Sequence, residues 1–553
     1  MKQIFLRIAF GLVVVNLGYA QIAGVFTYHN DNARTALNSQ ETVLTTANVN
    51  STQFGKLSSY PLDGYVHAQP LYVANVTIPG QGTHNVLYVA TENDSIYAFD
   101  ADNKSSKPLW HRSFVDRARR ITPVPCKDIE IFYSHCDLKD PNAPVGVVST
   151  PVIDPSSNTM YLDARTKENG VHFHRLHALD IATGEEKFGG PIAITASVPG
   201  TGEGSKHGVL DFNPLRQNNR PALLLLNGVV YVAYASRGDI HPYHGWLLGY
   251  APDANGKLAQ VAVFNTTPNA GKLNCNASEG GGGIWAAGAV SADSNSNIFL
   301  GTGQGFFDTA SGNYGDSFLK LGTNGGLQLL DYFTPFTQAK MDCRDWDAGS
   351  GGTLILPDQT GTSHPHLLVV GTKEGESDSK YFPQGRIYLL DRDQMGKFNP
   401  KKDEIAQELN GISGLIFNSP AYWNQNVYIN GNQKPLQCFG LKNGLLSTSP
   451  VSQTSDTFAD SGVNPTASSN GLTNGIVWVL GHVVSTTSSN QLVAYDATNL
   501  ATELYDSNQI PARDAINGLT KHSSATVANG RVYFASSDLN DLRSTLFVFG
   551  PLN

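Results

Sequence analysis

Short apolar pulses punctuate this chain, and polar turns close most of them. They read Ile96–Asp100, Leu176–Asp180, Leu247–Tyr250, Phe318–Leu321, Ile387–Asp391, Leu436–Phe439, Leu492–Asp496 and Leu546–Phe549. A second run, such as Asn85–Ala90 or Val229–Tyr234, precedes most pulses across a few Gly, Asn, Asp or Ser residues. Aromatic and β-branched residues alternating between such turns predict β-strands. The unit recurs about eight times at a spacing of roughly 50–80 residues. Small antiparallel sheets repeated in this way predict an all-β, eight-bladed β-propeller of four-stranded antiparallel blades.

Asn227-Gly228 and Asn529-Gly530 predict tight hairpin turns, because both central positions of such a turn need positive φ. The last blade has no outer strand at its C-terminal end. Phe54–Pro61 precedes the first blade and has no place in it. Pairing it beside Leu546–Phe549 supplies the missing strand and removes an open sheet edge. The predicted organisation is therefore an N-terminal arm, 21–53, and a propeller, 54–553.

The first twenty residues follow another pattern. Lys2 and Arg7 flank the apolar run Ile8–Val15, and Leu17-Gly18-Tyr19-Ala20 follows. This predicts a signal peptide cleaved near Ala20, since a membrane span needs about 20 apolar residues. The expected product is secreted or periplasmic, with no transmembrane segment in the mature chain. The cysteines suit an oxidising compartment. Cys126 and Cys136 share one polar insertion, and Cys275 and Cys343 lie in successive inter-blade connections, so all four are disulfide candidates. Cys438, inside an apolar pulse, predicts a buried free thiol. A net charge of −9 without a basic stripe argues against a nucleic-acid partner.

Connectivity sorts the loops. In a meander, the connections into each innermost strand and the loops between second and third strands fall on one face. The segments 165–174, 236–244, 303–315 and 373–384, read as loops, and the insertions 117–142, 196–219 and 342–349 all belong to that face. Long loops on a rigid scaffold are where binding residues concentrate. Residues entering the innermost strands converge near the axis, which makes His67, Gln69, Arg220, Trp285 and His522 ligand-binding candidates. The neighbouring loops add His241, His244, Trp246, Asp308, Asp316, Lys373 and Glu374. Such a funnel suits a small polar ligand, a glycan or a protein partner. Each residue also has a plain structural reading, such as a hydrogen-bonded histidine. Gly280–Gly283 reads as tight backbone passage rather than a phosphate cradle, since no helix follows. Asp342, Asp345 and Asp347 have the composition of a calcium loop but not its spacing. No G-x-S-x-G elbow is present, and a carboxylate pair such as Asp308 with Asp316 or Glu374 carries no identifying pattern.

The segments Ser95–Asp100, His177–Gly184, Gly385–Asp391 and Gln491–Asp496 resemble the pyrroloquinoline-quinone (PQQ) propeller repeat. The similarity runs from about Phe54 to Phe549. The stretch Tyr28–Thr35 is similar to one in uncharacterised secreted bacterial members. The resemblance implies one of two classes: quinone- and calcium-dependent alcohol or sugar dehydrogenases, or non-enzymatic scaffolds such as an outer-membrane assembly lipoprotein. For the enzymes it implies Trp285 stacking on PQQ, Arg220 or Lys373 holding its carboxylates, and calcium polarising a quinone carbonyl. This chain departs from both. No two cysteines are adjacent, and no lipid-acceptor cysteine lies near Ala20. The leading expectation is a binding propeller with no catalysis assigned. The alternative is the PQQ- and calcium-dependent dehydrogenase.

Overall fold

The computed structural model describes residues 23–102, 105–129, 140–270, 280–374, 385–411, 413–459, 461–484, 489–537 and 543–552. Eight antiparallel sheets form a ring, as the repeat predicts. Blade one runs outward in chain order through Leu71–Ile78, Gly82–Thr91, Ser95–Asp100 and Trp110–Ser113. The innermost strands of blades two to eight are Val152–Asp154, Leu224–Leu226, Val290–Ala292, Thr353–Ile355, Ala421–Trp423, Thr466–Asn470 and Thr526–Ala528. The Asn-Gly turns behave as their residues require: Asn227 and Gly228 take φ of 52° and 77°.

Apolar clusters fill the seams between blades rather than one central core. One packs Val230 and Trp246 of blade three on Tyr161 and Leu176 of blade two. Another packs Trp478 of blade seven on Phe534 and Phe549 of blade eight. Trp110 ties blade one to blade two by donating its indole N–H to the Ile181 carbonyl at 3.0 Å.

Ring closure follows the predicted route. Phe54–Leu62 pairs antiparallel with Ser544–Pro551, with Tyr60 opposite Leu546. Before it, the arm threads the axis. Gly24–Val25 pairs with the innermost strand of blade one, and Leu37–Asn38 pairs parallel with that of blade seven. Between them, carbonyls of Phe26, Asn32, Ala33 and Thr35 accept N–H bonds from Ile153, Ala292, Ile355 and Tyr422 of blades two, four, five and six.

The segment 165–174, expected as a loop, is the tip of a hairpin. Thr159–Glu168 and Val171–Asp180 pair along their whole length, and Asn169-Gly170 makes the two-residue turn. Cys126 and Cys343 carry disulfide bonds. Cys136, Cys275 and the leader 1–20 lie outside the described residues. Cys438 is a buried free thiol. No helix among the described residues is long and apolar enough to cross a membrane.

Candidate functional site

The residues that precede the innermost strands do converge. A cavity of about 720 Å³ opens at the mouth of the ring. His67, Arg220, Trp285, Phe417, Ser461 and His522 enter it just before the inner strands of blades one, three, four, six, seven and eight. Asp345 and Asp347 enter from the approach to blade five, while Arg237, Asp239, Gln304 and Lys373 enter just after second strands. The arm bonds to the inner strands themselves, so it lies further along the axis.

Trp285 presents a flat indole ring to the cavity. The Arg220 guanidinium lies 5.4 Å from its ring centroid and the Lys373 ammonium 5.6 Å. Both are cation–π distances. The His522 ring stands edge-on to it at 6.5 Å. Lys373 is buried, and its ammonium is paired with Asp345 at 2.8 Å and with Asp347. Burial opposes that charge, but Asp347 and Asp345 outweigh it and hold the lysine pKa above its usual value. The far oxygen of Asp347 accepts the Gln304 N–H at 2.6 Å.

Two histidines line the cavity. His67 Nε2 lies 2.8 Å from a carboxylate oxygen of the buried Glu92. His522 Nδ1 bonds Asn418 Oδ1 at 2.9 Å. An amide oxygen only accepts, so Nδ1 carries the hydrogen and Nε2 is the acceptor. Desolvation, then the charges of Arg220, His67 and Lys521, push the His522 pKa well below the ordinary histidine value. The ring is neutral at physiological pH.

Five of the twelve candidate ligand-binding residues therefore line the cavity: His67, Arg220, Trp285, Lys373 and His522. The others do not. Gln69 accepts the His29 N–H and donates to Thr526. His241 bonds Glu203 at 2.5 Å, and His244 bonds Thr267. Trp246 is core between blades two and three. Asp308 caps a short 3₁₀ turn. Asp316 is fully buried and accepts the Ala348 N–H. Glu374 is buried against Tyr388 and Thr337. Sequence reasoning missed Arg237, Asp239, Phe417 and Lys521. Arg237 and Lys521 were within reach of the same rule, since they flank Ser236 and His522 in chain order.

The glycine run is a tight passage. Gly281 and Gly282 spend their N–H groups on the Tyr243 and Gln304 carbonyls, and a Cβ on Gly281 would stand 2.5 Å from the Gln304 oxygen. Among the described residues, no group of three or more His, Cys, Asp or Glu side chains is arranged to hold a metal ion.

No protein-family model and no curated protein sequence matches the chain. Solved structures do. A quinohemoprotein alcohol dehydrogenase from Comamonas testosteroni aligns at TM-score 0.56 and 14% identity, over 95% of this chain and 80% of that one. A europium-containing methanol dehydrogenase aligns at TM-score 0.58 and 12% identity, over 95% and 98%. BamB from Moraxella catarrhalis aligns at TM-score 0.47 and 12% identity, over 90% and 99%. The likeness to the two dehydrogenases shows an eight-bladed propeller fold, and at these identities the fold alone.

Proposed function

We propose that the mouth cavity binds a flat, carboxylate-bearing small molecule stacked on Trp285. The observation that carries this is the half-buried Trp285 ring with two cations, Arg220 and Lys373, over it inside a cavity of about 720 Å³. Arg237 and Lys521 line the same cavity and suit further carboxylates. PQQ, a planar tricarboxylate, fits this donor set. When bound, it would supply a two-electron acceptor.

A second reading, quinone-dependent oxidation of an alcohol or sugar, has one observation in its favour. His522 is held neutral with Nδ1 committed to Asn418, which leaves Nε2 as an acceptor that would orient a substrate hydroxyl. Export belongs to the same proposal, with cleavage after Ala20 and the pairs Cys126–Cys136 and Cys275–Cys343. A mature chain beginning elsewhere, or other cystine pairs in a non-reduced peptide map, would count against it.

The binding reading is tested by titrating purified protein with PQQ and following tryptophan fluorescence. We expect saturable quenching, and a loss of about tenfold or more in affinity for Trp285→Ala, as stacking on an aromatic ring is worth roughly 1–3 kcal/mol. Equal affinity in the variant would sink the reading. Dye reduction by alcohols or sugars, lowered in His522→Gln, decides the second.

A further inference from the structure

We infer that ligand binding in this cavity needs no divalent metal, because the ammonium of Lys373 is the built-in cation of the site. This rests on reading the cavity as a ligand site, and it parts from the calcium dependence that the repeat resemblance implies.

The carboxylates that line the cavity are already engaged: Asp239 accepts the Tyr243 hydroxyl at 3.2 Å, and Asp345 and Asp347 both hold Lys373. Asp347 is buried, receives the Gln304 N–H on one oxygen and faces Lys373 with the other. Asp345 holds the same ammonium at 2.8 Å. A dication seated between these carboxylates would stand at contact distance from Nζ, where like charges repel. Lys373 cannot easily withdraw. Its backbone N–H bonds the Asp347 carbonyl at 3.2 Å, its side chain is only 10% exposed, and Nζ also lies 5.9 Å from the Phe417 ring centroid.

The two acids that hold Lys373 are not equivalent. The Asp347 side chain is 7% exposed, whereas that of Asp345 is 60% exposed. Asp347 is thus the permanent partner that keeps the ammonium in place. Asp345 is the exchangeable one, holding Nζ until an incoming carboxylate takes its position. The ligand class follows: a planar molecule with a carboxylate at its edge, reaching Lys373 while its face covers Trp285.

The test uses the full mature protein with PQQ as probe, in EGTA and in millimolar calcium. Lys373→Met, Lys373→Arg and Asp345→Asn are compared with wild type by fluorescence and equilibrium dialysis. Wild-type affinity is expected to be the same in both media. Lys373→Met should lose about tenfold or more, with no rescue by calcium, since a charge-assisted hydrogen bond is lost. Lys373→Arg should retain most of the affinity, and Asp345→Asn should bind more tightly. Wild-type binding that disappears in EGTA and returns with calcium would overturn the inference and leave the cavity reading intact. This comparison needs no variant to fold. Absence of wild-type binding in both media would instead overturn the cavity reading itself.

Discussion

His29 lies on the axis, 1% exposed, with its ring stacked on Tyr28 at 4.1 Å. Burial first, and then the charge of Arg34, push its pKa down to about 3. The unfolded chain binds this proton near the ordinary value of 6.5, so the neutral folded ring is favoured above that pH. Its contribution is therefore complete above about pH 6.5 and is lost as pH falls toward 3, on the order of 5 kcal/mol in all. Denaturant midpoints measured across that window should fall less steeply for His29→Asn than for wild type. Asparagine suits the left-handed φ of 53° there, so the slope reads titration rather than strain. An unchanged slope would refute the assignment. Residue-scale legibility had a definite limit. Position before an inner strand brought His67, Arg220, Trp285 and His522 to the cavity but not Gln69, which turns to the arm and to Thr526. Loop membership did not suffice for Asp316, Glu374 or Trp246. Chain order places a Cα but not the direction of its side chain, and these three turn into the blades.

The closing strand shows what element counting can and cannot give. Phe54–Leu62 was legible as the missing outer strand because one blade was a strand short and this segment had no blade. Pro61 is tolerated because the strand is outermost and needs no bond on its far side. Phe54 anchors the latch, its ring 5.4 Å from Trp478, 4.9 Å from Tyr505 and 6.3 Å from Phe549. Phe54→Ala should cost about 3–5 kcal/mol in a chemical denaturation experiment, the usual range for emptying a buried aromatic site. A cost under about 1 kcal/mol would mean that the ring closes without this contact. The hairpin 159–180 was misread for a local reason. Its polar tip carries no apolar alternation, so only Asn169-Gly170 marks it, and blade two extends farther toward the loop face than the pulses suggest.

At the scale of the whole molecule the arm joins ring to site. Nothing in Tyr28–Thr35 announces this. The stretch is polar and aperiodic, with left-handed φ at His29, Asn30 and Arg34, and its partners lie hundreds of residues away. Arg34 is fully buried, and burial lowers its pKa only to about 10, so it stays charged. It donates to the Val290 carbonyl at 2.9 Å, the Leu223 carbonyl at 3.3 Å and the Tyr28 carbonyl at 2.9 Å, which ties blades three and four to the arm. Tyr28 carries the connection upward. Its hydroxyl donates to Asn464 Oδ1 at 3.3 Å, and Asn464 Nδ2 donates to the His522 carbonyl at 2.8 Å. The left-handed backbone at His522, φ 65°, is thus braced from the axis. Arg34→Met strips bonds from several buried carbonyls at once and should lower stability by about 3–5 kcal/mol. The seams between blades survive that change, so unfolding followed by tryptophan fluorescence and by far-ultraviolet circular dichroism should no longer coincide. Tyr28→Phe is the gentler variant. It should leave the melting curve nearly unchanged while altering the titration of His522, read by NMR of the labelled ring. If His522 titrates identically in Tyr28→Phe and wild type, the arm ties the inner strands together but does not support the site.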